Sequence, residues 1–347
     1  MSATEPISVK KALARLCLGK DLDLEQAHYI FTLIMSGGAT PAQIGGLLTA
    51  LRLKGESIEE VAGAARAMRD LSLSVSIDLP HLVDTCGTGG SGPEKLFNIS
   101  TAAAFVAAAA GAHVAKHGNR AASSKSGSAD VLEAAGVEID LNPQQIEQCI
   151  REAGVGFMFA PAHHTALRQA AGARRELGFR TIFNLVGPLT NPASAPNQVI
   201  GVFAPQFQRT LAEVLLTLGS KRVLVVHADG LDELSSAGPS HVVELKEGEL
   251  IEYTIRPEQF GLVKTDLNTL KAESAEASLA LIQGALSGEQ PQARDIVALN
   301  AGAAIYVAGV TPSLETGVAC AQETIASGSA TQRLQEFIDL TRALGGA

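Results

Sequence analysis

Apolar side chains recur three and four positions apart over residues 7 to about 73, which is the spacing of one face of an α-helix. The recurring positions are Leu13, Leu16, Ile30, Leu33, Ile34, Ile44, Leu47, Leu48, Leu51, Val61, Ala65 and Met68. Breaks at Gly37-Gly38, Pro41 and Gly55 divide the stretch into about four short helices. The pattern predicts a small helical domain. Because it holds no cluster of nucleophile, base and metal-ligand residues, we do not expect chemistry within it alone.

Farther along the chain the period changes, and short apolar strands alternate with helices of about ten residues. Strands are predicted at Leu82–Cys86, Ala112–Lys116, Val137–Asp140 and Val155–Ala160, and helices from near Asn98, at Ala129–Ala135 and at Pro143–Ala153. Such alternation indicates a parallel sheet with helices on both faces. Ligands of such sheets bind at the carboxyl ends of the strands.

A second helical stretch, His163–Leu177, precedes the segment Asn184–Asn197, whose Pro, Gly and Asn residues predict an ordered, special loop rather than a linker. Two further strands are predicted at Val199–Phe203 and Val223–His227, and a hairpin at Val242–Leu245 with Leu250–Thr254. A helical tail follows from about Leu267 to Leu344. We therefore expect an α/β protein: a small all-helical domain plus a large α/β domain whose mostly parallel central sheet is flanked by helices.

Composition narrows the function further. The 347 residues include 36 Asp and Glu against 27 Lys and Arg, a net charge of −9. This balance argues against nucleic-acid binding, which needs clustered cations, but permits a small basic pocket.

The apolar run Ser100–Ala115 is shorter than the roughly 18 residues of a membrane span, so we expect a core helix. Residues 1–11 show no apolar signal region, which predicts a cytoplasmic protein. The cysteines show no metal or redox spacing and are expected to be buried thiols: Cys17, Cys86, Cys149 and Cys320.

A glycine cluster follows the first predicted strand. Gly87, Gly89 and Gly92 formally match the dinucleotide-binding fingerprint, but the third glycine does not open a helix and the next strand does not end in an acid. A Walker A loop is excluded because no Gly-Lys-Ser/Thr sequence is present. We interpret the turn as an anion site, in which backbone N–H groups lie beside a helix N-terminus. The alternative is a tight turn capped by Asn98 or Ser100.

The next strand ends in a basic, hydroxyl-rich loop. Residues 116–128 contain three cations and four serines but no acid. In an acidic chain such a loop is costly unless an anion neutralises it. Because the two loops come from adjacent strand–helix units, we expect them to converge on one polyanion, such as a phosphate-bearing sugar or a diphosphate. The alternative is a solvated basic loop.

Carboxylates follow the strand Val223–His227 as Asp229, Asp232 and Glu233. Mg²⁺ prefers oxygen ligands and is usually held by one or two carboxylates plus substrate phosphates, so beside two anion loops this segment predicts a magnesium site. An ordinary acidic turn is the alternative.

Two further pairs lie in the second helical stretch. Arg174 and Arg175 could bind a carboxylate bidentately, or form an ordinary surface pair. His163 and His164 point in different directions on a helix, so we interpret them as packing or pocket-wall residues rather than metal ligands.

Five motifs follow one another along the chain: Asp84-Thr85-Cys86-Gly87-Thr88-Gly89-Gly90, Asn98-Ile99-Ser100-Thr101, Lys116-His117-Gly118-Asn119-Arg120 with Ser123-Ser124, Gly187-Pro188-Leu189-Thr190-Asn191-Pro192, and Asp232-Glu233. In this order they resemble the anthranilate phosphoribosyltransferases of tryptophan biosynthesis. The resemblance spans nearly the whole chain, to residues 294–301 in the tail. The Lys-His-Gly-Asn-Arg and Gly-Pro-Leu-Thr-Asn-Pro segments are together highly specific. Gly-Thr-Gly-Gly alone is shared with pyrimidine nucleoside phosphorylases.

The resemblance implies a helical domain over residues 1–75, joined in space by about 163–190, and a catalytic α/β domain over 76–347 that binds phosphoribosyl diphosphate. It also implies Mg²⁺-dependent transfer of the phosphoribosyl group to anthranilate, and a homodimer formed through the helical domain. Because loss of diphosphate needs charge stabilisation and fixed geometry, no side-chain nucleophile is expected.

Carried over by position, the resemblance assigns three sets of site residues. Phosphoribosyl diphosphate would be bound by Gly87, Gly90, Ser91, Asn98, Ile99, Ser100, Thr101, Lys116, His117, Gly118, Asn119, Arg120, Ala121, Ala122, Ser123, Ser124 and Ser128. Anthranilate would be contacted by Gly87, His117, Asn119, Arg174 and Pro188, and Mg²⁺ by Ser100, Asp232 and Glu233.

The chain departs from the family pattern after Gly-Thr-Gly-Gly, where Ser91 replaces the usual Asp and one additional residue precedes Asn98. Two alternative functions stay open: a pyrimidine nucleoside phosphorylase-like enzyme, and a non-catalytic nucleic-acid-binding member of the same fold. The segment Lys116–Arg120 and the acidic pair favour a diphosphate donor over the first. The net charge disfavours the second.

Overall fold

A computed structural model describes residues 7–89, 96–121 and 126–346. As the periodicity predicts, the described N-terminal part forms four helices: α1 (Val9–Cys17), α2 (Leu24–Met35), α3 (Pro41–Lys54) and α4 (Ile58–Asp70). Each begins after a residue whose side chain accepts a hydrogen bond from the backbone of the first turn, namely Ser8, Asp23, Thr40 and Ser57. Such caps pair N–H groups that the helix leaves unsatisfied, and so fix where each helix starts.

The strands of the α/β part are β1 (Leu82–Gly87), β2 (His113–Gly118), β3 (Val155–Phe159), β4 (Asn197–Gly201), β5 (Arg222–His227), β6 (Ser240–Lys246) and β7 (Glu249–Ile255). They form a sheet with the order β3-β2-β1-β4-β5-β6-β7. Strands β1 to β5 pair in parallel, and β6 and β7 add an antiparallel hairpin at one edge. The mostly parallel sheet and the hairpin confirm the prediction from sequence.

The other helices are α5 (Ile99–Ala109), α6 (Ser128–Ala134), α7 (Pro143–Ala153), α8 (Ala160–His163), α9 (Arg168–Leu177), α10 (Ile182–Val186), α11 (Gln206–Thr217), α12 (Ala275–Leu286), α13 (Pro291–Val307), α14 (Leu314–Ala326) and α15 (Ser329–Gly345). Short 3₁₀ turns lie at Thr165–Leu167, Gly187–Leu189, Pro257–Phe260 and Leu267–Leu270. Helices α5 and α13 cover one face of the sheet, and α7 and α11 cover the other. On β5, Leu224 and Val226 pack with the first layer and Val223 and Val225 with the second.

The chain between β3 and β4 returns to the N-terminal helices. Helix α9 packs on α2 and α3, and α10 packs on α3 and α4. Their buried apolar residues join one core with those of α11 and β5. This segment, which carries Arg174 and Pro188, therefore connects the helical bundle to the sheet.

Two expectations from the sequence need correction. The predicted strand Val137–Asp140 is wrong, since this segment is irregular and Glu138 donates its backbone N–H to Thr341 of α15 (3.2 Å) instead of to a strand. Its alternating apolar residues, Val137 and Ile139, are buried under helices. The expectation of four buried thiols is correct for Cys149 and wrong for Cys17, which is exposed, while Cys86 and Cys320 are partly buried.

Helix α5 is the core helix that the apolar run predicts, with nearly every side chain buried. Among the described residues, no helix has the length and apolarity that crossing a bilayer requires.

Candidate active site

A cavity of about 210 Å³ lies at the carboxyl ends of β1 and β2, beside the loop that follows β5. It is lined by Cys86, Gly87, Gly89, Leu96, Phe97, Asn98, Ile99, Ser100, Lys116, His117, Gly118, Asn119, Gly127, Ser128, Leu231, Asp232 and Glu233. The glycine turn, the start of the basic loop and the acidic segment thus meet around one space. Their meeting follows from the parallel sheet, because the carboxyl ends of its strands share one edge.

The acidic segment reaches the glycine turn by crossing the end of β4, which lies between β1 and β5. Strand β4 ends in Gly201, where a Cβ atom would overlap the backbone oxygen of Asp232. Oδ2 of Asp232 then accepts a hydrogen bond from the N–H of Gly89 (3.0 Å). A Cβ at Gly87 would lie 2.6 Å from that same oxygen. The absence of side chains at Gly87 and Gly201 therefore permits the close approach.

Glu233 joins the acidic segment to the start of α5. Its carboxylate lines the cavity together with Ser100, and interactions with the Ser100 backbone and hydroxyl lower its pKa. Burial raises the pKa of Glu233, and the charge of Asp232 raises it further, while the Lys116 ammonium opposes both. A carboxylate held in this way gains stability as an anion when a cation binds beside it.

The oxygens gathered here fit Mg²⁺. Ser100, Asp232 and Glu233 supply hydroxyl and carboxylate groups, the ligand types that this ion prefers. Within the described ranges, no group of three or more His, Cys, Asp and Glu side chains is arranged to hold a metal. Two carboxylates and a hydroxyl suit an ion that a phosphate-bearing ligand also binds.

Lys116 lies buried beneath the cavity. Its Nζ donates to the backbone oxygen of Thr85 (2.6 Å) and to Oγ of Ser100 (3.3 Å). Burial lowers the pKa of Lys116 and raises that of Asp84, and the attraction between the two charges offsets part of each shift. Asp84 is fully buried and accepts the backbone N–H of His117 (3.2 Å). Two hydrogen bonds thus join β1 and β2 directly below the site, from Lys116 to Thr85 and from His117 to Asp84.

A histidine pair lies at the cavity, in which His117 lines the wall and His164 packs against His117. The rings of His117 and His164 meet edge to face, with centroids 5.1 Å apart. Burial lowers the pKa of both, well below its usual range for His117 and to about 4 for His164. Within the part of the chain that the structure describes, the Nε2 atoms of both rings are buried without a hydrogen-bond partner. The wall is therefore polar but uncharged at pH 7.

Arg174 and Pro188, which the family resemblance assigns to the site, do not line the cavity. The backbone oxygen of Pro188 is 3.9 Å from Sγ of Cys86, which lines the cavity. The guanidinium of Arg174 stacks on Phe183, 5.3 Å from the ring centroid, and burial lowers its pKa. Arg174 is half-buried and has no carboxylate partner among the described residues, whereas Arg175 is exposed. The structure thus distinguishes Arg174 from Arg175, which the sequence alone could not do.

Two family models match the chain: the helical bundle domain of the glycosyl transferase family over residues 10–72, and its a/b domain over residues 79–331. The anthranilate phosphoribosyltransferase of Hahella chejuensis is 57% identical, over 95% of this chain and 97% of its own length. That of Cellvibrio japonicus is 54% identical, over 97% of this chain and 100% of its own length. The chain belongs to the anthranilate phosphoribosyltransferase family.

Solved structures of this family have the same fold. The anthranilate phosphoribosyltransferase of Thermus thermophilus superposes with a TM-score of 0.90 at 46% identity, covering 95% of this chain and 99% of that one. The Saccharomyces cerevisiae enzyme in complex with PRPP and Mg gives a TM-score of 0.87 at 26% identity, covering 97% of this chain and 98% of that one.

Some residues that the family resemblance assigns do not line the cavity. The guanidinium of Arg120 pairs with Glu133 and Asp130, and the N–H of Ala121 donates to Oδ2 of Asp130 (3.0 Å). Thr101 is buried within α5. Five assigned residues lie outside the described ones: Gly90, Ser91, Ala122, Ser123 and Ser124.

Sequence reasoning missed two supporting residues of this family site. Asp84 has no role among the predictions from sequence, although an acid within an apolar strand indicates a buried carboxylate that needs hydrogen-bond partners. The sequence gives no sign that position 201 requires glycine, because this requirement arises only when β4 lies between β1 and β5.

A larger cavity of about 950 Å³ lies beside the β6–β7 hairpin. Its Arg209 pairs with Glu213 and Glu252, so this charge is already neutralised by the protein. The family motifs surround the smaller cavity, and we assign the active site there.

The neutral histidine wall predicts a pH dependence of stability. His164 titrates near 6.5 when unfolded and at about 4 when folded, so between these values the unfolded chain binds more protons. The contribution of His164 to the free energy of unfolding is therefore fully present above pH 6.5. It falls as the pH drops below this value, by up to about 1.4 kcal/mol per pH unit. Urea unfolding at pH 7, 6 and 5 should show a shallower slope for His164→Gln. The exposed His241→Gln is the control, and an unchanged slope in His164→Gln would contradict the prediction.

Proposed function

We propose that the chain transfers the 5-phosphoribosyl group from phosphoribosyl diphosphate to the amine of anthranilate, giving N-(5-phosphoribosyl)anthranilate and diphosphate, as a step of tryptophan biosynthesis. The observation that carries the proposal is the convergence of Gly87, Lys116 and Glu233 on one cavity. The names of the full-length relatives support it.

At the donor end, the protein stabilises charge. Breaking the bond between the ribose and the diphosphate builds negative charge on the leaving group and positive charge on the sugar. The Lys116 ammonium lines the cavity, where it can stabilise the leaving anion. Mg²⁺, bound through Ser100, Asp232 and Glu233, would neutralise diphosphate charge.

At the acceptor end, the protein orients the nucleophile. The aromatic amine of anthranilate is uncharged at pH 7, so it attacks without a strong general base. The neutral rings of His117 and His164 suit this end, because a protonated histidine would repel the developing positive charge on the sugar. The carboxylate of anthranilate needs a cation, and the guanidinium of Arg174, which has no carboxylate partner within the described ranges, supplies one.

Arg174→Ala is expected to raise the KM for anthranilate by about tenfold or more, because it removes a charged hydrogen-bonding partner of the acceptor. The KM for phosphoribosyl diphosphate should change by less than about twofold, since its subsite is separate. Arg175→Ala, on the exposed face of the same helix, is the matched control. Steady-state kinetics with each substrate varied in turn decide, and equal rises in both KM values would rule out this role for Arg174.

The activity itself is tested with purified protein, phosphoribosyl diphosphate, Mg²⁺ and anthranilate by following the loss of anthranilate fluorescence. Loss should require all three additions and stop when Mg²⁺ is chelated. Phosphate-dependent release of base from a pyrimidine nucleoside, without anthranilate consumption, would instead support the phosphorylase alternative.

We further propose a homodimer formed through the helical domain. Leu18 and Leu53 are 74% and 83% exposed, and contacts of Lys54 with Asp21 bring the ends of α1 and α3 together. A second copy would cover these leucines. Sedimentation equilibrium tests this, and a mass of one chain at micromolar concentration would exclude it. The cytoplasmic location stays a prediction from sequence.

A further inference from the structure

Ser278 reaches the donor side of the cavity from the C-terminal helices. It lies in α12 with no exposed surface, 180 positions after Asn98. Its hydroxyl accepts the backbone N–H of Asn98 (3.0 Å) and donates to Oδ1 of the same residue (2.8 Å). One serine thus uses both hydrogen-bonding functions of its hydroxyl on a single residue of the site.

Asn98 does not cap its own helix. It precedes α5, yet its side chain makes no capping hydrogen bond. Oδ1 of Asn98 receives a second hydroxyl, from Ser126 of the basic loop (3.1 Å). The amide oxygen is therefore held by two donors that come from different segments, the basic loop and α12.

This arrangement decides which end of the amide is left for a ligand. An amide has one acceptor atom and one donor group, and here the acceptor is engaged by Ser126 and Ser278. Among the described residues, the NH₂ group of Asn98 meets no acceptor, and Asn98 lines the cavity. A donor group suits an anionic ligand, whereas the flipped amide would present an oxygen and repel it.

The neighbouring backbone is held from the same direction. Phe97 donates its N–H to the backbone oxygen of Leu270 (2.9 Å), and Leu96 forms a β-bridge with Lys271. Helix α12 itself packs on α5 and α6. The entry to α5 is therefore fixed by residues 270–278, which carry none of the family motifs described above.

We propose that Ser278 is a positioning residue of the phosphoribosyl diphosphate subsite, which together with Ser126 holds the Asn98 amide with its NH₂ group toward the donor. The inference rests on the proposed function and adds to it a residue that acts through another. Ser278 does not touch the ligand.

Ser278→Ala is expected to raise the KM for phosphoribosyl diphosphate by about threefold to tenfold, the effect of one hydrogen bond. The KM for anthranilate should stay within about twofold of the wild type. Ser274→Ala is the matched control. Ser274 caps the same helix, because its Oγ accepts the N–H of Ala277 (3.1 Å), and it does not contact Asn98. The substitution should lower the melting temperature and leave both KM values unchanged.

A double-mutant cycle separates positioning from packing. If Ser278 acts through Asn98, then Ser278→Ala adds nothing to the KM for phosphoribosyl diphosphate in an Asn98→Ala background. An equal rise in both backgrounds, or no rise in Ser278→Ala alone, would overturn the inference while the wild-type activity stands. Calorimetric titration of the wild type with phosphoribosyl diphosphate and Mg²⁺ is the reference, and a failure to bind there would overturn the proposed function as well.

Discussion

Glu233→Gln should lower kcat/KM for phosphoribosyl diphosphate by at least about a hundredfold, the scale of losing one preorganised charge-stabilising group. Glutamine keeps the size of the side chain but cannot become the anion that a cation bound beside Asp232 would stabilise. The Mg²⁺ concentration giving half-maximal rate should rise in parallel, because a carboxylate ligand is lost. Initial rates over a Mg²⁺ series at saturating anthranilate measure both effects.

Asp229→Asn is the matched control for this substitution. Asp229 is an exposed acid in the same segment with a backbone φ of 46°, a conformation that Asn also tolerates. It should behave as the wild type. A Glu233→Gln enzyme with the wild-type Mg²⁺ dependence would show that this carboxylate does not bind the metal.

Asp84→Asn is expected to destabilise the protein by about 1–3 kcal/mol, because the buried Asp84 carboxylate accepts the His117 N–H and its charge favours the buried Lys116 ammonium. The exposed Asp78→Asn, a few positions earlier, should have almost no effect. Chemical unfolding followed by circular dichroism measures the difference.

The double variant Asp84→Asn/Lys116→Met completes this test. Replacing both charges by groups of similar size often restores stability, so the double variant should recover at least half of the loss. It should nevertheless be inactive, because Lys116 is also needed at the cavity. A double variant less stable than Asp84→Asn would show that the charge pair is not what destabilises the single variant.

Much of the site could be predicted because parallel strands end at one edge. The acid-free loop from Lys116 and the acidic pair Asp232-Glu233 each follow a recognisable apolar strand, and their meeting needs only that topology. The N-terminal helices could also be predicted, because their capping residues and the glycines between them are local features of the sequence. The role of each residue in binding stays a prediction.

What the sequence could not predict depends on contacts between distant segments. Val137–Asp140 has the alternation of a strand, but α15 covers it and none of the described strands pairs with it. Ser278 sits in a helix rich in alanine, and its contact with Asn98 leaves no trace in local spacing. The two arginines at 174 and 175 differ only in which one α10 covers.

The central position of β1 affects the order in which the enzyme folds. Asp84 on β1 contacts Gln198 on β4, 114 positions later, and the acidic segment arrives only after β5. Pairings over such separations form late and slowly, since loop-closure entropy opposes them. A nascent chain that has not yet released β5 from the ribosome therefore has its helical bundle but no site, and catalytic competence during refolding should lag behind helix content.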